Sequence, residues 1–164
     1  MVHGLICSSA DWVVMGPDHG LGFILADRCY DVWMSNSRGN HYSRAHNNLP
    51  VNSDEFWNFS WHEMAQYDLP ALIDYVLHMT QKEDLLYIGH SQGTTQFWIF
   101  NEIHPEYKEK VKAMFALAPI AFMGHSDSTV LQLISHFQAE LNVSLKKKQT
   151  KNRESDINCS TCHF

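Results

Sequence analysis

Gly89-His90-Ser91-Gln92-Gly93 places a hydroxyl between two glycines at a spacing suited to nucleophilic catalysis. The apolar run Leu85-Leu86-Tyr87-Ile88 precedes it, and a helix-compatible segment from Thr94 to Asn101 follows. Strand, tight turn and helix in that order make a nucleophile elbow, which holds a serine Oγ clear of the backbone at the end of a parallel sheet. In so sharp a turn flanking side chains collide unless they are absent. Gly89 and Gly93 therefore fit the two positions where strand and helix come closest. A G-x-S-x-G pentapeptide by itself also describes an ordinary glycine turn, and it is the flanking context that favours the elbow.

Acyl transfer from an ester needs a nucleophile, a base to take its proton, and donors for the oxyanion. Ser91 is the candidate nucleophile. The backbone N–H of Gln92 is the first candidate donor, at a helix N-terminus where the dipole favours negative charge. A second donor in such sites comes from a glycine-containing loop after an earlier strand. His3-Gly4-Leu5 suits that part, with Leu5 supplying the N–H. On its own a His-Gly pair reads as plain loop; beside the elbow it becomes a candidate.

The surrounding pattern must position these groups. Leu21, Phe23, Ile24 and Leu25 predict a short helix, and Tyr30–Met34 alternates toward a strand closed by the polar turn Asn36-Ser37-Arg38-Gly39-Asn40. Ser60 and Glu63 match a capping box for a helical turn beginning at Trp61. Asp68 is placed to cap a further helix whose opening tolerates Pro70, with Leu69, Leu72, Tyr75, Val76 and Met79 as its core stripe. After the elbow helix, with Phe97, Trp98 and Phe100, comes a break at His104-Pro105 and an exposed helical turn over Glu106–Lys110. Ala113–Ala118 is a continuous apolar run of strand length, the pattern of a strand buried on both faces. Helices alternating with strands imply parallel crossovers and an α/β class. The expected organisation is a core over residues 1–123, a lid or cap region opening over 124–145 around Val130–Phe137, and a polar, poorly ordered tail over 146–164.

At 164 residues with 45% apolar and 18% charged side chains, the chain is long enough for one domain with a real core. A formal net charge of −6 argues against a nucleic-acid-binding face. The one basic cluster, Lys146-Lys147-Lys148 with Lys151 and Arg153, reads as solvated tail. No apolar run approaches the ~20 residues of a membrane span. Met1–Cys7 has neither the basic start nor the long apolar stretch of a signal peptide, although sequons at Asn58, Asn142 and Asn158 hint at a secretory ancestry. Cys7 and Cys29 fall among apolar residues and are expected as buried thiols.

Taken together, these motifs resemble the acid lipase family, the gastric and lysosomal lipases and their insect relatives. The likeness runs from His3-Gly4-Leu5 and Ser9-Ala10-Asp11-Trp12-Val13 through Tyr30-Asp31-Val32-Trp33 and Asn36–Asn40. It continues through Tyr67-Asp68-Leu69-Pro70-Ala71 and Ile88–Thr94 to Ala116-Leu117-Ala118-Pro119. The resemblance implies an α/β-hydrolase fold and hydrolysis of neutral lipid esters, triacylglycerols or cholesteryl esters, at a lipid–water interface. It implies Ser91 as nucleophile, Leu5 and Gln92 as the oxyanion pair, no metal or organic cofactor, and relatives that are secreted or lysosomal.

Two departures qualify that expectation. The family's aspartate and histidine follow the serine well downstream. Here Asp127, Asp156, His125, His136 and His163 are the downstream candidates, placed at the start of the family's lid insertion or in an unfamiliar tail. His90 is a poor base for its neighbour because adjacent side chains diverge in the elbow. Without a base, turnover falls by roughly 10⁴–10⁶ in serine hydrolases, so the chain alone is expected to be nearly inactive. In the hydrolase fold, moreover, the strand before His-Gly-Leu lies between the Tyr30–Met34 and Leu85–Ile88 strands. Here it is reduced to Met1 and Val2. Losing four or five buried strand residues at roughly 1.5–3 kcal/mol each removes on the order of 10 kcal/mol. The expectation is a fragment of a longer lipase that folds poorly alone.

Two other readings compete. Cys159-Ser160-Thr161-Cys162-His163 fits the C-x-x-C-H pattern of haem attachment, but it stands in the polar tail, and as a zinc half-site it offers at most three ligands. A non-catalytic lipase-like module that binds lipid or a partner enzyme is the other.

Overall fold

The computed structural model describes residues 1–122, of which Met1–Ala121 form one compact unit. The expected lid and tail regions, the five downstream Asp and His candidates and the C-x-x-C-H motif all lie outside the described residues. At the centre, β1 (Leu85–His90) and β2 (Val111–Leu117) pair in parallel, with Ile88 opposite Phe115. Helix α1 (Leu21–Asp27) lies early in the chain. A longer helical segment precedes β1 and comprises α2 (Trp61–Glu63), a π-helical turn (Met64–Asp68) and α3 (Leu69–Thr80). Helix α4 (Gln92–Ile103) crosses from β1 to β2, giving the parallel α/β unit that the alternation predicts.

The Ser60–Glu63 capping box forms: the Ser60 N–H donates to Glu63 Oε2 at 2.6 Å, and Ser60 Oγ accepts from the His62 N–H at 3.1 Å. Accepting from the Ser60 hydroxyl at 2.7 Å, and from the Ser60 N–H, holds the Glu63 carboxyl down at about 2. Asp68, in contrast, caps nothing. Its backbone is helical, because the π turn joins α2 to α3 without a break, and its carboxylate receives the Arg38 guanidinium through Nε and Nη2. Pro70 explains the π turn. Proline lacks an N–H and its ring crowds the carbonyl four residues back, so the helix widens ahead of it. That carbonyl, Gln66 O, is satisfied instead by His104 Nε2 at 3.0 Å.

The core gathers Val2, Ala65, Leu69, Ile73, Tyr87, Phe97, Phe100 and Tyr107. The buried row of α3 is Leu69, Ile73 and Val76, whereas Tyr75 and Met79 are more than half exposed. Tyr75 leaves the expected stripe to stack edge-on against Trp33 at 6.0 Å. Phe115 and Leu117 are also open at 52% and 39%, so β2 is not covered on both faces among the described residues. Cys29 is exposed in a left-handed turn and Cys7 is only partly buried, so neither thiol belongs to the core. Desolvation and the neighbouring Asp11 push the Cys7 thiol up to about 11.

Tyr30–Met34 is not a strand. Its backbone hydrogen bonds lie at its two ends: Tyr30 N–H donates back to Leu25 O at 3.1 Å, the Met1 ammonium donates to Trp33 O at 2.7 Å, and Ser35 N–H donates to Met1 O at 3.0 Å. On its other side the two-residue start of the chain meets β1, with Val2 N–H donating to Ile88 O at 2.8 Å and His90 N–H to Val2 O at 3.0 Å. Met1 and Val2 thus sit between the two segments, as expected, and a strand ladder there ends after one bridge. Beyond it lies a cleft of about 1120 Å³ lined by Leu25, Val32, Val76, Leu86, Ile88 and Phe115 among others. No described helix is long and apolar enough to cross a membrane.

Candidate active site

Ser91 stands between β1 and α4 at φ 49°, ψ −112°. L-residues avoid that left-handed corner, which costs of order 1–3 kcal/mol and persists only where surrounding contacts enforce it. Here the enforcement is visible. Ser91 N–H donates to Leu117 O at 2.9 Å, tying the corner to the end of β2. Ser91 O accepts from Thr94 Oγ1 at 2.6 Å and from the Thr94 N–H at 2.9 Å. Thr94 in turn accepts from the Ile120 N–H at 2.9 Å.

The flanking glycines are required by contact. A Cβ on Gly89 would stand 2.9 Å from the Gly93 carbonyl carbon, and one on Gly93 would stand 2.5 Å from Val2 O. The buried Tyr87 hydroxyl donates to Gly93 O at 2.8 Å, and burial pushes that phenol well above its usual range. The helix therefore starts flush against both β1 and the first residues of the chain.

That approach carries His3-Gly4-Leu5 to the serine. A Cβ on Gly4 would meet His90 Nδ1 at 2.9 Å and Ser91 Cβ at 3.3 Å. Leu5 is 44% exposed, whereas Gln92 is buried. Neither the Leu5 N–H nor the Gln92 N–H has a hydrogen-bond partner among the described residues. The residues that follow Gly4 and Ser91 thus each carry a backbone donor without a partner among the described residues, and open donors are what a developing oxyanion requires. His90 lies edge-on to Trp12 with ring centroids 6.4 Å apart, its Nδ1 turned toward Gly4 and in no hydrogen bond with Ser91. No side chain among the described residues hydrogen-bonds the Ser91 hydroxyl.

One supporting group is not evident from the motifs. The Asn36–Asn40 turn does more than close an extended segment, because it grips the loop that carries Leu5. Ser37 N–H donates to His3 Nε2 at 3.0 Å, and Asn40 Nδ2 lies 3.0 Å from the same nitrogen. Asn36 Oδ1 accepts from Asn40 Nδ2 at 2.8 Å and from Ser9 N–H at 3.0 Å. Gln96 of α4, buried at 1% exposure, donates to Ser37 Oγ at 3.3 Å. Two asparagines four residues apart beside a glycine are the only sequence trace of this network.

A serine on a left-handed corner between a parallel strand and the helix it feeds, bracketed by contact-limited glycines, is the architecture of an α/β hydrolase. Residues 1–152 match the profile described as alpha/beta hydrolase fold, and the chain belongs to that family. In sequence it is similar to several lipases. Identity is 46% over 147 residues with Lipase 1 of Drosophila melanogaster, covering 88% of this chain and 34% of the relative. It is 50% over 126 residues with Lipase member M of Homo sapiens, covering 77% and 30%. With the Homo sapiens lysosomal acid lipase/cholesteryl ester hydrolase it is 50% over 132 residues, covering 80% and 33%. The chain spans about a third of the length of these curated relatives.

Proposed function

We propose that this chain is the nucleophile-bearing part of a serine ester hydrolase acting on neutral lipid esters, triacylglycerols or cholesteryl esters. In this reading Ser91 Oγ attacks the ester carbonyl, and the negative charge that forms on its oxygen is received by the N–H groups of Leu5 and Gln92. The reaction calls for no metal or organic cofactor, since a hydroxyl, a base and two donors supply the chemistry. The observation that carries the reading is the close approach of Gly4 to Ser91 Cβ with both donors left free. The lipid-ester substrate class rests on the lipase relatives, and their lysosomal member suggests a secretory or lysosomal setting for the longer protein.

A base that takes the proton of Ser91 is not provided by the described residues. Without a base, attack by Ser91 is slow, down by about 10⁴–10⁶ from a complete triad. The test is labelling with an active-site-directed fluorophosphonate, read by intact mass and peptide mapping. Slow modification at Ser91, lost in Ser91→Ala, is the expected result. No modification at Ser91 over long exposure would favour the second reading, a lipase-like module that binds lipid or a partner without turnover. That second reading is motivated by the Ser91 hydroxyl having no partner among the described residues.

A further inference from the structure

The geometry points to His3 as the positioning residue of the Leu5 donor, and we propose that it works only as the neutral tautomer protonated on Nδ1. This rests on the reading of Leu5 as an oxyanion donor.

The imidazole is 3% exposed, so its hydrogen bonds must be made within the protein. Ser37 N–H can only donate, and it points at His3 Nε2 from 3.0 Å. Nε2 must therefore carry the lone pair, and a neutral ring then holds its proton on Nδ1. Nδ1 lies 2.8 Å from Gly4 O, which can only accept. Each end of the ring thus assigns the same tautomer independently. Asn40 Nδ2, 3.0 Å from Nε2, adds a second donor there and none that Nε2–H could use.

The consequence follows from peptide geometry. Gly4 C=O and Leu5 N–H belong to one planar trans unit, so the N–H points opposite to the carbonyl. Nδ1–H, with the Cys7 N–H at 3.3 Å, fixes the direction of Gly4 O. That fixes the direction of Leu5 N–H, and hydrogen bonding at the carbonyl polarises the donor on the other side. His3 touches no reacting atom in this account. It transmits the position of the Asn36–Asn40 turn to the donor beside Ser91.

The experiment uses the full chain labelled with nitrogen-15. His3 is expected to show a protonated Nδ1, an unprotonated Nε2, and a through-hydrogen-bond coupling from the Ser37 amide to Nε2. Two variants separate the two ends of the ring. His3→Gln offers an acceptor to Ser37 but no donor to Gly4 O. It should keep the Ser37 amide protected, shift the Leu5 amide resonance, and slow fluorophosphonate labelling of Ser91 by about ten- to a hundredfold, short of the ~10²–10³ of a lost donor. His3→Asn returns a donor near the Nδ1 position and should restore the labelling rate to within about threefold of the parent, set against that same scale. A ring protonated on Nε2, or a His3→Gln chain with unchanged Leu5 amide and labelling rate, overturns the proposal. The parent tautomer decides the matter if both variants fail to fold. If Ser91 of the parent is never labelled, the ester-hydrolase reading fails, while the tautomer and the Leu5 amide shift still judge the role of His3.

Discussion

Gly93→Ala probes the contact that joins the elbow to the start of the chain. The added Cβ would stand 2.5 Å from Val2 O and 3.2 Å from His3 O, both backbone atoms with no side-chain torsion to relieve them. An ordinary carbon–oxygen approach is about 3.3–3.6 Å, so Val2 must retreat by roughly 1 Å. That movement breaks the Val2 bonds to Ile88 and His90, now 2.8 and 3.0 Å. Two lost hydrogen bonds contribute about 1 kcal/mol each and the overpacking about 1–3 kcal/mol, against a helix-propensity gain of about 1 kcal/mol from alanine. The net loss is about 2–4 kcal/mol. Gly4→Ala is the internal comparison, because its nearest contact, His90 Nδ1 at 2.9 Å, is the end of a side chain that can turn. It should cost less than half as much. Urea unfolding followed by tryptophan fluorescence reads both, and with a slope near 1–3 kcal/mol per molar the Gly93→Ala midpoint should fall by about 1–2 M. A Gly93→Ala midpoint within about 0.2 M of the parent, on the same scale, would refute the contact argument.

Ser91→Gly should stabilise the fold by about 1 kcal/mol relative to Ser91→Ala, since glycine occupies the left-handed corner without strain while both lose the hydroxyl; equal midpoints for the two variants would remove the strain. The Met1 ammonium is held down to about 6 from 8.0 by burial. The unfolded chain therefore binds more protons between pH 6 and 8, and stability is present above pH 8 and lost as pH falls through 6, by about 2–3 kcal/mol. Acetylating the amine should abolish that slope in urea midpoints taken at pH 5.5 and 8.5, and an unchanged slope would assign it to other groups. Amide exchange should also divide β1 by alternation. Tyr87 and Gly89, which face β2, should exchange at least about tenfold more slowly than Ile88, whose N–H faces the cleft without a described partner; uniform protection along β1 would contradict the open edge.

Much of this was legible in local sequence, and the exceptions share a cause. The elbow is readable because its constraint is local: two glycines four residues apart, a strand before and a helix after. The capping box at Ser60 is readable for the same reason. Asp68 misleads because a cap and an ion pair use the same carboxylate, and its partner Arg38 is 30 residues away. Tyr30–Met34 has strand chemistry but no strand, since a ladder needs a neighbour, and the start of the chain supplies it only the Met1 bonds at Trp33 and Ser35. On α3 both Ile73 and the Tyr75–Met79 row are apolar enough to face a core, and only the position of the neighbouring elements chooses between them. The two oxyanion candidates follow from motif spacing, whereas the hold of Ser37 and Asn40 on His3 spans 34 and 37 residues and leaves no periodic trace.

Those long-range bonds hold the loop beside Ser91 although its own strand pairing, among the described residues, is one bridge long. The loop bearing Leu5 does not depend on a long ladder. Val2 anchors it to β1 and fills the space above Gly93, Met1 anchors it to Trp33 and Ser35, and His3 anchors it to the Asn36–Asn40 turn. Each anchor engages a different segment, so displacing the loop breaks contacts with all three at once. The cleft begins on the far side of Met1 and Val2, where the same two segments lose their common partner. Ser91 and the loop bearing Leu5 are therefore held from several sides, and weakness in the open sheet reaches Ser91 through Val2 and through its own bond to Leu117. A substitution lining the cleft, such as at Leu25 or Val76, acts on stability before it acts on the geometry around Ser91. One at Val2, Gly93 or His3 acts on both together.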